Sequence, residues 1–378
     1  MKSLPMLRQS RRLATTLLSA ILVASAASTF AAPTDTTSPL HLNANENLFG
    51  FSPKAQEAVI KAVESGNFYN RNELDDLAVM LAKKEGVTKD YIQLTHGSGP
   101  MLLMTAATYG KPGANIVTTS PGYPQLTGAF AQRGGSIKYT PVGANLGYDF
   151  KAMLAAIDAN TAIVYVCNPN NPTGVLANPT ELRNFIMAVP ENVLVFVDEA
   201  YLELANTDLA ANTMTPLVKL RKNLIVSRTF SKGYALAGFR VGYGTGNPEV
   251  LAKVRANDTG TAPSFLAAIA AKASLADTEH LQGNIKKYRE IRAYTMKELD
   301  RLGLKHSDAQ GAFVIFKAGI EAKEFQKKML EKKIQVNTVF GVAPGQEGEY
   351  KDWIRVSIGT QEDMELFIGA TASILGKS

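Results

Sequence analysis

Short apolar runs that stop at polar turn residues recur along this chain with amphipathic stretches between most of them, and no other feature constrains its fold as much. The runs are Tyr91–Leu94, Ile116–Thr119, Ile137–Val142, Ala162–Cys167, Leu194–Val197, Leu224–Ser227 and Arg240–Tyr243. Several, such as Val193-Leu194-Val195-Phe196-Val197, are apolar at every position rather than every second one. A strand of that kind has both faces covered, the condition of a strand in a mainly parallel sheet. The stretches between them, Met101–Tyr109 and Pro179–Ala188 among them, have helical spacing and supply the cover. Ser52-Pro53 opens a helical pattern through Ala55, Val59 and Ala62, with serine as cap and proline at the first helical position.

Beyond about residue 256 the pattern changes. A long charged amphipathic helix, Leu281 to Arg301, precedes strand-like Phe313–Phe316, a helix over Glu321–Lys332, strand-like Ile334–Val336 and Ile354–Ile358, and a last helix from Glu362. This reads as a smaller α+β domain at 257–378, after a large domain at 67–256 and a linker and N-terminal arm at 33–66. At 378 residues the chain is long enough for two domains of about 100–200 residues each. It is too long for a small binding module.

The first 32 residues read as an address. Residues 1–12 are basic, Leu13 to Ala27 are largely apolar, and Ser28-Thr29-Phe30-Ala31-Ala32-Pro33 offers small residues for cleavage near Ala31 or Ala32. The apolar run is shorter than the ~20 residues of a spanning helix, so no stable membrane insertion is expected after cleavage. Ser10-Arg11-Arg12-Leu13 resembles a twin-arginine signal, which routes folded proteins and implies the bacterial periplasm. Removing Lys2, Arg8, Arg11 and Arg12 takes the formal charge from +6 to +2. A balanced body without zinc-finger spacing or basic runs disfavours nucleic acid as a partner. The single cysteine, Cys167, excludes an internal disulfide and a multi-cysteine metal cluster.

The chemistry gathers at the ends of the strand-like runs. Thr229-Phe230-Ser231-Lys232-Gly233 follows Leu224–Ser227, and Arg240 lies eight residues past the lysine. A desolvated lysine amine attacks aldehydes, while neighbouring hydroxyls and an arginine suit a phosphate; on this segment alone, a surface lysine in a loop is an equal reading. Asp198 ends an apolar strand, where ligands of parallel sheets sit, and could pair with a ring nitrogen or simply cap a helix. Tyr201 follows three residues on. Cys167-Asn168-Pro169-Asn170-Asn171-Pro172-Thr173-Gly174 holds a turn that leaves the Asn171 amide free to donate. Gly97-Ser98-Gly99 joins a strand to a helix, where backbone amides favour an anion, although a plain tight turn explains the small residues too. Tyr123 could stack on a flat ring or merely pack.

Asn-Pro-Asn-Asn-Pro-Thr-Gly, Val-Asp-Glu-Ala-Tyr and Thr-Phe-Ser-Lys with its later arginine, in this order and spacing, resemble the class I/II aminotransferases of fold type I. With Leu42-Asn43-Ala44-Asn45-Glu46-Asn47 the chain is most similar to their histidinol-phosphate aminotransferase branch. The resemblance covers everything after the leader. It implies a mixed, mostly parallel seven-stranded sheet sandwiched by helices, pyridoxal 5′-phosphate as cofactor, and a homodimer with shared active sites. It further implies that Lys232 holds the cofactor as a Schiff base and moves the proton at the substrate α-carbon. Asp198 then pairs with the ring nitrogen, Asn171 and Tyr201 contact the ring hydroxyl, and Tyr123 stacks on the ring. Gly97, Ser98, Gly99, Thr229, Ser231 and Arg240 hold the phosphate, joined by Tyr69 from the partner subunit. Arg355 clamps the substrate carboxylate with Asn171 beside it. The implied reaction is amino transfer between an L-amino acid and a 2-oxo acid by a ping-pong cycle.

Two departures stand out. Gly99-Pro100 occupies the place where the family has an acidic residue, and Val336-Asn337-Thr338 stands where histidinol-phosphate enzymes carry a further arginine. The missing cation, together with export away from cytosolic histidine synthesis, argues against histidinol phosphate as substrate. The same residues would also serve a decarboxylase, racemase or lyase of this fold, since each stabilises a carbanion. A cofactor-binding scaffold without turnover is the reading from outside enzymology.

Overall fold

The computed structural model describes residues 38–377, so the leader and the linker through residue 37 lie outside the described residues. Twelve strands follow in chain order: β1 Leu40–His41, β2 Ile92–Thr95, β3 Asn115–Ser120, β4 Ser136–Pro141, β5 Thr161–Cys167, β6 Leu194–Asp198, β7 Leu224–Thr229, β8 Gly242–Gly246, β9 Phe313–Lys317, β10 Ile334–Gln335, β11 Asn337–Thr338 and β12 Trp353–Ser357. Seven of them form one sheet in the order β2-β8-β7-β6-β5-β3-β4. Pairing is parallel from β7 through β4, and β8 runs antiparallel to both of its neighbours. This is the mostly parallel α/β fold expected.

The double-faced strands do what their composition dictates. Ile163, Tyr165, Leu194, Phe196 and Ile225 enter one core cluster, while Val164, Val166, Val195, Val197 and Val226 enter another. Successive residues of a strand point to opposite faces. Helices α1 Pro53–Ala62 and α2 Asn72–Glu85 lie between β1 and β2, α3 Gly99–Tyr109 between β2 and β3, and α4 Pro124–Ala131 between β3 and β4. Ser52 caps α1 by accepting from the Ala55 amide, and Pro53 opens the helix as expected.

The C-terminal part carries a second sheet, β11-β12-β9, and the long helix over Thr278–Arg301. Two core clusters cross the boundary expected at residue 256. Helix Phe265–Ala276 contributes Ala267, Ala268, Ala270 and Ala271 to a cluster with Leu77, Leu81 and Tyr243, beside α1 and α2. Leu42 of the N-terminal arm is fully buried in the C-terminal cluster, and β1 pairs with β10 in parallel. The arm is therefore no loose linker from residue 40 onward.

One strand start needs correction. The run Arg240–Tyr243 has the pattern of a strand, but β8 begins at Gly242, and Arg240 sits at φ +57° in the left-handed region. A Cβ on Gly242 would overlap the Gly97–Ser98 peptide, so the strand enters only where the side chain vanishes. No helix among the described residues is long and apolar enough to cross a membrane.

Candidate active site

The register of the sheet brings the chemical segments together. Cys167 pairs with Asp198, and Asp198 with Ser227, so β5, β6 and β7 reach the same edge at the same height. The loops that leave there carry Asn171, Tyr201 and Lys232 side by side. Thr229 and Thr95 both pair with Gly242, which adds the Gly97–Gly99 turn to that edge. A cavity of about 660 Å³ opens between these loops, lined among others by Ser98, Gly99, Tyr123, Asn171, Asp198, Tyr201, Thr229, Ser231, Lys232, Arg240 and Arg355. Its position beyond the carboxyl ends of parallel strands is where such sheets bind ligands.

Lys232 donates from Nζ to the Asn45 carbonyl at 2.8 Å and lies 5.7 Å from the Tyr201 ring centre. Burial, then repulsion from Arg355 and Arg240, lowers its pKa to about 8 against an opposing pull from Glu46. At a pKa of about 8, roughly a tenth of this amine is neutral at pH 7, far more than of an ordinary lysine, and that is the state in which it is nucleophilic. Asp198 is buried, and its Oδ1 accepts from Ser227 Oγ at 3.0 Å and the Ala200 amide at 3.2 Å. Burial raises its pKa to about 6, and the Ser227 and Ala200 bonds hold it from going further.

An anion cradle forms where α3 begins. Gly97 adopts φ +79°, and a Cβ there would collide with the Arg240 guanidinium. Thr229 Oγ1 and Ser231 Oγ lie 3.0 Å apart on the strand-end side. Ser98 stands at the N-cap of α3 without any side-chain cap bond, and the Gln125 side-chain amide lies beside Gly99 at the start of this helix. Backbone amides, two hydroxyls and a guanidinium converging at a helix N-terminus match a phosphate dianion. The residues present thus fit a phosphorylated cofactor with an aldehyde near Lys232 and a basic ring nitrogen near Asp198.

Asn171 bridges two neighbours. Its amide donates to Tyr201 Oη at 3.3 Å, and its Oδ1 accepts from Arg355 Nη1 at 3.0 Å. Arg355 is buried without an acidic partner among the described residues, which sets aside a structural ion pair. Its Nη2 donates to the Asn43 carbonyl at 2.7 Å, and its Nε has no partner. Tyr123 lines the cavity, with its hydroxyl 3.2 Å from Gln125 Oε1. Tyr69 is not brought to the cavity of its own chain: it lies in the turn before α2, 88% exposed.

The residues that sequence reading leaves out are Asn45, Ser227, Glu46 and Phe340. Asn45 accepts from Lys232 through its carbonyl and donates to Tyr201 Oη at 3.1 Å. Its signal is present in the Asn43–Asn47 motif, but nothing local says that the arm returns to the site. Ser227 supports Asp198 through a register that a single strand cannot reveal.

The sequence pattern of the family described as "Aminotransferase class I and II" matches residues 37–370. The chain is 34% identical over 338 residues to a histidinol-phosphate aminotransferase from Moorella thermoacetica, covering 89% of this chain and 85% of that one. A structure of histidinol-phosphate aminotransferase from Sinorhizobium meliloti in complex with pyridoxal-5′-phosphate superposes with a TM-score of 0.80 at 26% identity, over 90% of this chain and 91% of that one. An L-threonine-O-3-phosphate decarboxylase from Porphyromonas gingivalis shares the fold, with a TM-score of 0.74 at 21% identity over 89% of this chain and all of that one.

Proposed function

Because the chain belongs to the class I and II aminotransferases, enzymes that work with pyridoxal phosphate, we propose that it moves an amino group from an L-amino acid to a 2-oxo acid in two half-reactions, with Lys232 as the residue that holds the cofactor. The observation that carries this reading is the pairing of Lys232, its amine shifted to about 8, with buried Asp198 across one cavity at the ends of adjacent strands. When bound, the cofactor supplies an electrophilic carbon and a protonated ring that draws electrons from the bond broken at the substrate α-carbon. Asp198 keeps the proton on the ring nitrogen. Tyr201 and Asn171 orient the ring hydroxyl, and Tyr123 covers a ring face. The Gly97-Ser98-Gly99 amides, Thr229, Ser231 and Arg240 take the phosphate. Arg355, with Asn171 beside it, fixes the substrate carboxylate through its planar fork. Lys232 Nζ then carries the proton at the α-carbon.

Borohydride treatment of the holoprotein followed by peptide mapping is the test, with the label expected on Lys232. A label on another lysine, or on none, rejects the assignment. Release of one oxo acid per cofactor converted separates amino transfer from decarboxylation, which would release carbon dioxide.

The named relatives point to histidinol phosphate, and one feature speaks against it here. Asn337 pairs directly across from Arg355 and donates to the Asn43 carbonyl at 2.7 Å, so an uncharged amide stands where a second guanidinium would meet a phosphate. We further propose a homodimer in which Tyr69 completes the partner's site. Phe68, Val63 and Ile60, each more than half exposed, extend the same surface. Export through the leader is the last part of the proposal, and N-terminal sequencing of protein from the periplasmic fraction, expected to begin near Ala32 or Pro33, tests it.

A further inference from the structure

One buried hydroxyl close to Asp198 has no task in the reaction as described. Tyr165 sits on β5 opposite Phe196, two residues before Cys167, which stands opposite Asp198. Alternate residues of a strand share a face, so Tyr165, Cys167, Phe196 and Asp198 project from the same side of the sheet. The Tyr165 ring centre lies 6.0 Å from that of Phe196, and the residue is 1% exposed, enclosed by its own chain. Its hydroxyl nevertheless has no hydrogen-bond partner among the described residues. A hydroxyl sealed from water is costly to leave without an acceptor.

Two acceptors lie on that face, Cys167 Sγ and the Asp198 carboxylate. The Cys167 thiol donates to the Pro169 carbonyl at 3.4 Å and is held protonated, chiefly by burial, so its sulfur is a weak acceptor. Asp198 is the stronger one. The bonds it accepts from Ser227 and Ala200 both fall on Oδ1. Burial pushes its carboxyl up; the Ser227 and Ala200 bonds oppose that, Glu199 adds to it, and the nearness of the Tyr165 hydroxyl opposes it again. Burial, then Cys167 and Asp198, keep the Tyr165 proton in place, so this hydroxyl can donate at every working pH. The other titratable groups facing Asp198 are Cys167, Tyr123, Tyr148 and Glu199. Glu199 is paired with Arg228, and burial holds the remaining three neutral.

We infer that Tyr165 is a positioning residue for Asp198: its hydroxyl donates to the ionised carboxylate and sets how strongly that carboxylate competes for the proton on the cofactor's ring nitrogen. The holoenzyme arm of the test rests on the aminotransferase reading above, whereas the apoprotein arm needs neither cofactor nor turnover, so the two can fail separately. In the apoprotein, urea titrations across a pH series follow Asp198, whose protonation favours the fold. Tyr165→Phe keeps the ring and removes the donor, so the carboxylate protonates more readily, and the pH through which stability is lost should rise from about 6 by about one unit. Ser227→Ala, which removes a 3.0 Å bond, should move it the same way. A stronger donor, 3-fluorotyrosine placed at position 165, should move it down. In an Asp198→Asn background Tyr165→Phe should leave the pH dependence unchanged, which separates action on the carboxylate from loss of packing. In the holoenzyme Tyr165→Phe makes Asp198 a stronger base, draws the proton away from the ring nitrogen and weakens the electron pull of the ring. The pH midpoint of the cofactor's absorbance change should rise, and kcat should fall roughly tenfold with little change in KM. An unmoved stability midpoint in Tyr165→Phe, or the same shift in the Asp198→Asn background, overturns the inference.

Discussion

Burial displaces the pKa values of Lys232 and Asp198 in opposite directions, because in each case it penalises the charged form. For Lys232 the consequence is kinetic. Only the neutral amine attacks an aldehyde, so cofactor uptake by the apoprotein should rise with pH through an inflection near 8. Arg355→Gln should move that inflection upward without restoring an ordinary lysine, since burial, the larger cause, remains. Stopped-flow absorbance across a pH series measures both. For Asp198 the consequence is thermodynamic. Its folded pKa of about 6 lies above that of an unfolded aspartate, so its protonation favours the fold. That contribution is fully present below about pH 4 and is lost as pH rises through about 6. Asp198→Asn, neutral throughout, should make the apoprotein more stable than wild type at pH 8 by about 1–3 kcal/mol, with the gap closing toward pH 4 in urea titrations. Its turnover should nevertheless fall on the order of 100-fold, the scale of removing one preorganised charge.

Between elements, Arg228 ties together the segments that surround the strand ends at the cavity. Its side chain, 2% exposed, meets Glu199 at 2.9 Å, Glu203 at 3.5 Å and Glu85 at 3.8 Å, joining β7 to the segment after β6 and to the end of α2. Removing the arginine strands three carboxylates in the interior. Arg228→Met should therefore destabilise the fold by about 3–5 kcal/mol in chemical denaturation, far more than an exposed ion pair would. None of this cluster is legible in the sequence, because its members come from segments that only the sheet register unites. What is legible follows the same logic. The ends of β5, β6 and β7 show as apolar runs halted by Asn168, Asp198 and Ser227, and the candidate site residues that follow them can be named. Helix Phe265–Ala276 shows no amphipathic period because it is alanine-rich and buried on several sides, so the sequence does not announce it. The start of β8 is misplaced by sequence because Val241-Gly242-Tyr243 continues a strand-like pattern that the left-handed Arg240 and the close approach of Gly97 delay. Strand β1, two residues long, offers no period to detect.

At the scale of the whole molecule, the exposed apolar surface around α1 and Tyr69 makes association the expected state. Light scattering at micromolar concentration should report twice the chain mass, and a monomer there would remove Tyr69 from the site. Tyr69→Phe should leave the dimer intact and weaken cofactor retention by roughly tenfold to a hundredfold, the value of one hydrogen bond to a charged group. The pairing of Leu40 with Ile334 has a further meaning for how this protein is made. During synthesis the arm emerges early, and its partner strand is among the last segments to appear. The β1–β10 seam can therefore close only after most of the chain has been made.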